Sequence, residues 1–362
     1  MTFDGRENTR IPDVFAMAHT LSFAIHDVLL QQLHAGNRAN AWMEEMDPGD
    51  PASALVHLAQ EPAIDWVLRT QTPEKIAAVL NRTVYPFLLG DFLHYIYEAL
   101  ECSRKGKTTV AISLLRKPLK ESLYVIEILS SDPEEFARRF RHDIAALYSD
   151  NRSVKGKEQK QRLHEDRVRH ALSAAGAADL FDPTYIAQLR YARDADDSFA
   201  ASFDQAMHLV TNFSAIATEP LNFNFIFSGS DSILSHWSYI YSRLPYLMAY
   251  AWRICEHAFA RYGWSDQDYL DDIDRRVSAL VLLWHPTIPK GYRSPQINNF
   301  VKKTRVALKK KCKADGWRQP NPDDLRRMSE TGAWPGESQR SVLSRRRRTE
   351  SLVELAKKIS QM

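Results

Sequence analysis

Residues 107–130, KTTVAISLLRKPLKESLYVIEILS, decide the fold. Val110, Leu114, Leu115, Leu119, Leu123, Ile126 and Leu129 recur at helical spacings, the repeat of an α-helix with one apolar face. Tyr124, Val125 and Ile128 fill the other sides of its second half, which is then apolar all round and belongs inside a helical bundle. Pro118 lacks an N–H and predicts a kink. Arg116, Glu121 and Glu127 ride on this mostly buried element, and each needs a partner because an unpaired charge out of water is costly. On an α-helix Glu121 lies about 140° around from Arg116. The two are therefore expected to pair with other helices, Arg116 in a buried ionic clamp. A catalytic or ligand-binding role for Arg116 and Glu121 is the alternative.

The same helical spacing extends in both directions. Val14, Met17, Leu21, Ile25, Val28 and Leu29 mark one helix, and Tyr269, Ile273, Val277, Leu280, Val281 and Trp284 another. Residues 231–261 are rich in Trp and Tyr, and Pro245 is expected to bend or break the helix they form. Start signals are consistent: Thr72, Asp132, Asp182, Ser294 and Asn321 each precede a proline, so a capping oxygen stands before a ring already set at helical φ. Gly36, Gly106, Gly263, Gly316 and Gly332 are placed as stops. The lysine-rich stretch 150–166 reads as the exposed start of a long helix rather than as a linker. Only residues 221–227, LNFNFIF, alternate with period two. A lone strand cannot satisfy its backbone, so an extended loop or small hairpin is expected there. The fold class is all-α, a bundle of at least ten helices.

Charge divides the chain. From residue 286 onward there are 19 Lys/Arg against 7 Asp/Glu, net +12; residues 1–285 hold 29 against 38, net −9. The prolines at 286, 289 and 295 coincide with the change, so an acidic helical body (1–285) is expected to carry a basic, partly helical C-terminal extension (286–362). Lys302, Lys303, Arg305, Lys309, Lys310, Lys311 and Lys313 fall on one strong helix candidate, followed later by Arg345, Arg346, Arg347 and Arg348 and an amphipathic stretch with Leu352, Val353, Leu355, Ala356 and Ile359. Such cation density attracts phosphate backbones by releasing counterions. RNA or DNA is the partner this composition favours. A merely solvated, partly disordered tail, self-association or docking on the acidic body, and an anionic membrane are the alternatives.

Several chemistries find no motif. There is no phosphate-cradling glycine loop, no G-x-S-x-G elbow and no H-E-x-x-H. Cys102, Cys255 and Cys312 are too few and too scattered for a disulfide framework or a cysteine zinc site, which fits a cytoplasmic protein. No secretory signal or transmembrane segment is expected and no cofactor is implied. Asp91 with His94, and Asp204 with His208, are helical pairs at metal-ligand spacing, and ordinary ion pairing is the simpler reading of both.

The stretch Ala111–Phe140 places an Arg and a Glu five apart on a central helix, followed by an acidic, Pro-started helix. It resembles a pattern in uncharacterised bacterial helical proteins, some of them regarded as distant relatives of the HEPN superfamily of helical ribonucleases and nucleotide-binding modules. The resemblance spans about 30 of the 362 residues. It implies an all-α fold and singles out Arg116 and Glu121. It also suggests a HEPN-like nuclease, or a non-enzymatic homo-oligomeric component of a bacterial defence or toxin system; a metal-dependent nuclease built on Asp91, His94, Asp204 and His208 is a separate alternative. Active HEPN ribonucleases carry Arg followed by His after four to six residues. None of the twelve histidines here has an Arg at that spacing; Arg138–His142 and Arg253–His257 are one residue too close. The spacing thus disfavours a standard HEPN ribonuclease and leaves a degenerate, non-catalytic relative open.

Overall fold

The computed structural model describes residues 11–44, 59–142, 144–147, 156–213, 216–226, 229–262, 267–345 and 347. Among these the chain forms thirteen α-helices and no strand. They are α1 (Asp13–Arg38), α2 (Ala63–Thr70), α3 (Pro73–Arg104), α4 (Thr108–Arg116), α5 (Leu123–Ser131), α6 (Pro133–His142), α7 (Lys157–Ala174), α8 (Pro183–Tyr191), α9 (Phe199–Met207), α10 (Ser230–Ala260), α11 (Gln267–Trp284), α12 (Pro295–Ala314) and α13 (Pro322–Thr331). Residues 339–345 are helical as well. The Pro-preceding residues cap as the sequence implies: Thr72, Asp132, Asp182, Ser294 and Asn321 each accept from the backbone N–H three residues on.

Helix α10 is the axis. From Trp237 to Phe259 nearly every residue is buried, because α1, α5 and α7 lie against it. Helix α1 also meets α3 and α11, and α4 joins α3 to α9. The contiguous core runs from Phe15 to Trp334. Residues beyond 286 contribute to it directly, through Ile297, Phe300, Val301, Leu308, Cys312 and Met328. Helices α1 and α3 each hold an 18-residue window of mean hydropathy 1.2, long and apolar enough to cross a membrane by composition. Their apolar faces are spent on this core.

The structure corrects several local expectations. Helix α10 passes through Pro245 without interruption. The kink expected at Pro118 is instead a π-helical turn, Lys117–Ser122, joining α4 to α5. Gly36 does not end α1 but lies within it, where a Cβ would collide with the Trp42 ring. Gly106, Gly316 and Gly332 do adopt positive φ at helix ends, and Gly263 lies outside the described residues. The alternating run at 221 is a loop, as expected, but not an extended one: Leu221 and Phe225 both have φ of 62°.

Candidate functional site

Helix α12 carries the cations the sequence singled out, and its buried face decides which of them reach solvent. Ile297, Phe300, Val301, Thr304, Leu308 and Cys312 recur at spacings of three and four and are all buried. The opposite face is fixed by that anchoring. Lys302, Arg305, Lys309, Lys310 and Lys313 are exposed, with Lys303 half-buried. Among the described residues none of these six is paired with a carboxylate. Lys302, Arg305, Lys309 and Lys313 follow at three, four and four residues, a stripe about 17 Å long at the helical rise. The lysines near the C-terminal end also suit the negative pole of the helix dipole. Gly316, at φ 75°, then folds the chain back, and the Trp317 N–H donates to the Cys312 carbonyl at 2.7 Å.

Two of the expected nucleic-acid residues are engaged elsewhere. Lys311 lies on the flank facing α11, where its Nζ stands 2.7 Å from Asp271 and 3.6 Å from Asp274. Arg345 is a clamp between segments. Its guanidinium donates to Asp272 at 2.6 Å, to Glu337 at 2.9 Å and to the Gly332 carbonyl at 3.1 Å. Burial alone would raise the Asp272 and Glu337 carboxyls, but arginine partners, joined at Glu337 by the Trp334 N–H and the Ser341 hydroxyl, outweigh it and hold both below the usual range. Arg347 is exposed. Arg346, Arg348 and the amphipathic stretch from Leu352 lie outside the described residues.

The second concentration of charge surrounds the π-turn. Arg116 and Glu121, expected to point apart, form an ion pair at 2.8 Å. A π-helical turn closes i→i+5 bonds and so brings residues five apart onto one face. Their side chains are 35% and 37% exposed, so the pair is a surface one and Arg116 is not the buried clamp. Lys117 pairs with Asp91 at 2.7 Å and lies 4.5 Å from the centre of the Tyr95 ring. Lys120 is half-buried, and its amine is pushed below the usual lysine range by that burial, against the raising effect of Asp204 and with the help of Arg193 and Arg116. Two carbonyls of the turn are capped from α8: Arg190 Nε donates to Leu119 O at 2.5 Å, and Tyr191 Oη to Lys120 O at 3.2 Å.

The buried clamp is one turn further along. Glu127 and Arg190 are each 0% exposed and hydrogen-bond to one another, and Tyr250 Oη donates to the same Glu127 oxygen at 2.7 Å. The sequence identified Glu127 as needing a partner. Arg190 was missed because it sits in a nine-residue helix whose pattern gives no sign of which face is covered. A further, part-buried chain was also missed: His19 Nδ1 to Tyr241 Oη at 2.9 Å, and Tyr241 Oη to Ser103 Oγ at 2.8 Å. Burial pushes His19 down to about 4, against the raising effect of Glu101 and with the help of Arg104.

The four candidate metal ligands do not gather. Asp91 belongs to Lys117 and Ser122, and Asp204 to Arg193 at 2.7 Å; His94 and His208 are exposed. Among the described residues no group of three or more His, Cys, Asp or Glu is placed to hold a metal ion. Comparison with protein-family models, with curated proteins and with solved structures gives no match.

Proposed function

We propose that this protein binds RNA or DNA without sequence preference through the solvent face of α12. The observation that carries the reading is the contrast between the two sides of one helix. Six buried side chains lock its orientation, and the outward face then presents five exposed cations with no carboxylate partner among the described residues. A row of unpaired cations on a rigid support matches a phosphate backbone, and counterion release drives such binding.

Removing residues 286–362 is not a clean test, because it strips Ile297, Phe300 and Leu308 from the core. Substitution on the outward face is. Fluorescence anisotropy with short labelled RNA and DNA, at low and at physiological salt, is compared for the wild type and for the Lys302→Ala, Arg305→Ala, Lys309→Ala, Lys313→Ala quadruple variant. Wild-type affinity is expected to fall steeply with salt, with a log–log slope of about −3 to −4 for four to five phosphates. The variant is expected to lose most of both affinity and slope. Equal binding by the two proteins, or wild-type binding indifferent to salt, refutes the proposal.

A further inference from the structure

The cations of α12 spread around the helix as well as along it. At 3.6 residues per turn, Arg305 and Lys310 stand about 140° apart around the axis, and Arg305 and Lys303 about 160° apart. Lys302, Lys309 and Lys313 fall between these flanks, within about 40° of one another. Arg305 on one flank and Lys310 on the other are both exposed, and Lys303 is half-buried. The remaining arc is the buried face from Ile297 to Cys312. One helix therefore presents two cationic flanks with a cationic crest between them. Helix α12 lies at the edge of the bundle, packed chiefly on α11. Exposed Lys290 and Arg293 continue the positive ground just before its N-terminus.

That breadth selects among nucleic acids. A single strand laid along the helix is one row of phosphates and reaches one flank. In the major groove of B-DNA a helix lies between two rows, one from each strand. A helix with its side chains is about 10–12 Å across, and that groove is about 12 Å wide. The major groove of duplex RNA is deep and too narrow to admit side chains. Binding of single strands ordinarily adds aromatic side chains on which bases stack. The outward face of α12 carries none: it is Asn298, Asn299, Val306 and the cations. Trp317, which follows the helix, is half-buried and stacked on Trp334, with 6.2 Å between ring centres.

Resting on the reading that this face binds nucleic acid, we infer that its partner is duplex DNA and that α12 lies in the major groove. Arg305 meets the phosphates of one strand, and Lys303 and Lys310 those of the other. Lys302, Lys309 and Lys313 reach from the crest to either side on their flexible stems. Val306, 45% exposed near the middle of the face, turns towards the base edges. Lysines on phosphates set position without reading bases, in keeping with binding that has no sequence preference.

The test is fluorescence anisotropy of the full chain with one short sequence presented as DNA duplex, RNA duplex, single-stranded DNA and single-stranded RNA at the same salt. The DNA duplex is expected to bind roughly tenfold or more tighter than the other three, because it alone offers α12 two reachable phosphate rows. Methyl green, which occupies the major groove, is expected to compete, and netropsin, which occupies the minor groove, to leave binding unchanged. Arg305→Ala and Lys310→Ala, one from each flank, should each reduce the magnitude of the duplex salt slope by about 0.9, and together by about 1.8. Both positions are exposed and alanine is the best helix former, so these variants keep their fold, which circular dichroism checks. Equal or tighter binding to a single strand or to duplex RNA overturns the inference, as does competition by netropsin alone or a slope that answers to only one flank. If the quadruple variant has lost that binding, α12 remains the nucleic-acid face and only the groove is refuted. A wild type that binds none of the four probes, or a quadruple variant that binds as the wild type does, overturns both.

Discussion

The indole Nε1–H of Trp284 donates to the carbonyl of Tyr241 at 2.8 Å, the carbonyl that Pro245 leaves without its helical N–H. Proline inside a helix costs a hydrogen bond at i−4 and ordinarily bends it. Here a fully buried tryptophan on α11 supplies the missing donor, and α10 continues to Ala260. Trp284→Phe is expected to destabilise the fold by about 1–3 kcal/mol beyond the lost packing, because a buried carbonyl is orphaned. Pro245→Ala restores a backbone donor to that carbonyl. In urea denaturation, then, the Trp284→Phe penalty should shrink in the Pro245→Ala background. Additive penalties would show that the indole is packing rather than capping.

Burial separates the two ion pairs of the central helices. Arg190→Met or Glu127→Leu alone leaves the other charge buried without its counterion and is expected to cost about 3–5 kcal/mol. The double replacement removes both charges and should cost less than either single change. Arg116→Ala, at the half-exposed pair with Glu121, is expected to cost at most about 1 kcal/mol. Thermal or chemical denaturation of these four variants checks the order. An Arg116→Ala penalty as large as that of Arg190→Met would mean that the π-turn pair carries stability its exposure does not suggest.

These pairs show where sequence reading stops. Helix starts were legible because a cap is local: Asn321 and Asp324 form a reciprocal capping box within four residues, with Pro322 at the first helical position. Helix α12 was legible from its Ser294-Pro295 start and its length, while its buried face, Ile297, Phe300, Val301, Leu308 and Cys312, comes from the structure. Partners across helices were not. Lys311 and Lys309 look alike along the chain, and only the carboxylates of α11 distinguish them. Arg116 with Glu121 failed for another reason. The angle between residues five apart was taken from α-helical geometry, and the π-turn at Lys117–Ser122 changes the period at that place. Pro118 was the available signal, read as a kink when it marked a change of helix type.

His19 gives the fold a dependence on mild acid. Its folded-state value is depressed to about 4 from the usual 6.5, so the imidazole is neutral in the native state and takes up a proton more readily once unfolded. Its contribution is fully present above about pH 6.5 and is lost as pH falls from there towards 4. Allowing for partial solvent contact, that loss is about 2 kcal/mol. His236 and His257 are lowered too, chiefly by burial, and act in the same direction. Melting temperature measured from pH 7 to pH 4.5 should fall for the wild type and fall less for His19→Gln. Parallel curves for the two proteins would remove His19 from this role.

Lys309 and Lys311 are two residues apart on α12, and the structure assigns them opposite duties. Lys309 is exposed with no carboxylate partner, while Lys311 is held 2.7 Å from Asp271. If phosphates are bound by the outward face, Lys309→Ala removes one contact and should reduce the magnitude of the salt slope by about 0.7–0.9. It should leave stability nearly unchanged, since nothing in the fold depends on its charge. Lys311→Ala should do the reverse. Nucleic-acid affinity stays close to the wild type, and stability falls by up to about 1 kcal/mol as Asp271 and Asp274 lose their shared cation. Anisotropy titrations and denaturation curves on the two variants read both quantities. Equal losses of affinity would mean that binding follows net positive charge rather than the geometry of the face, and the stripe from Lys302 to Lys313 would no longer define the interface.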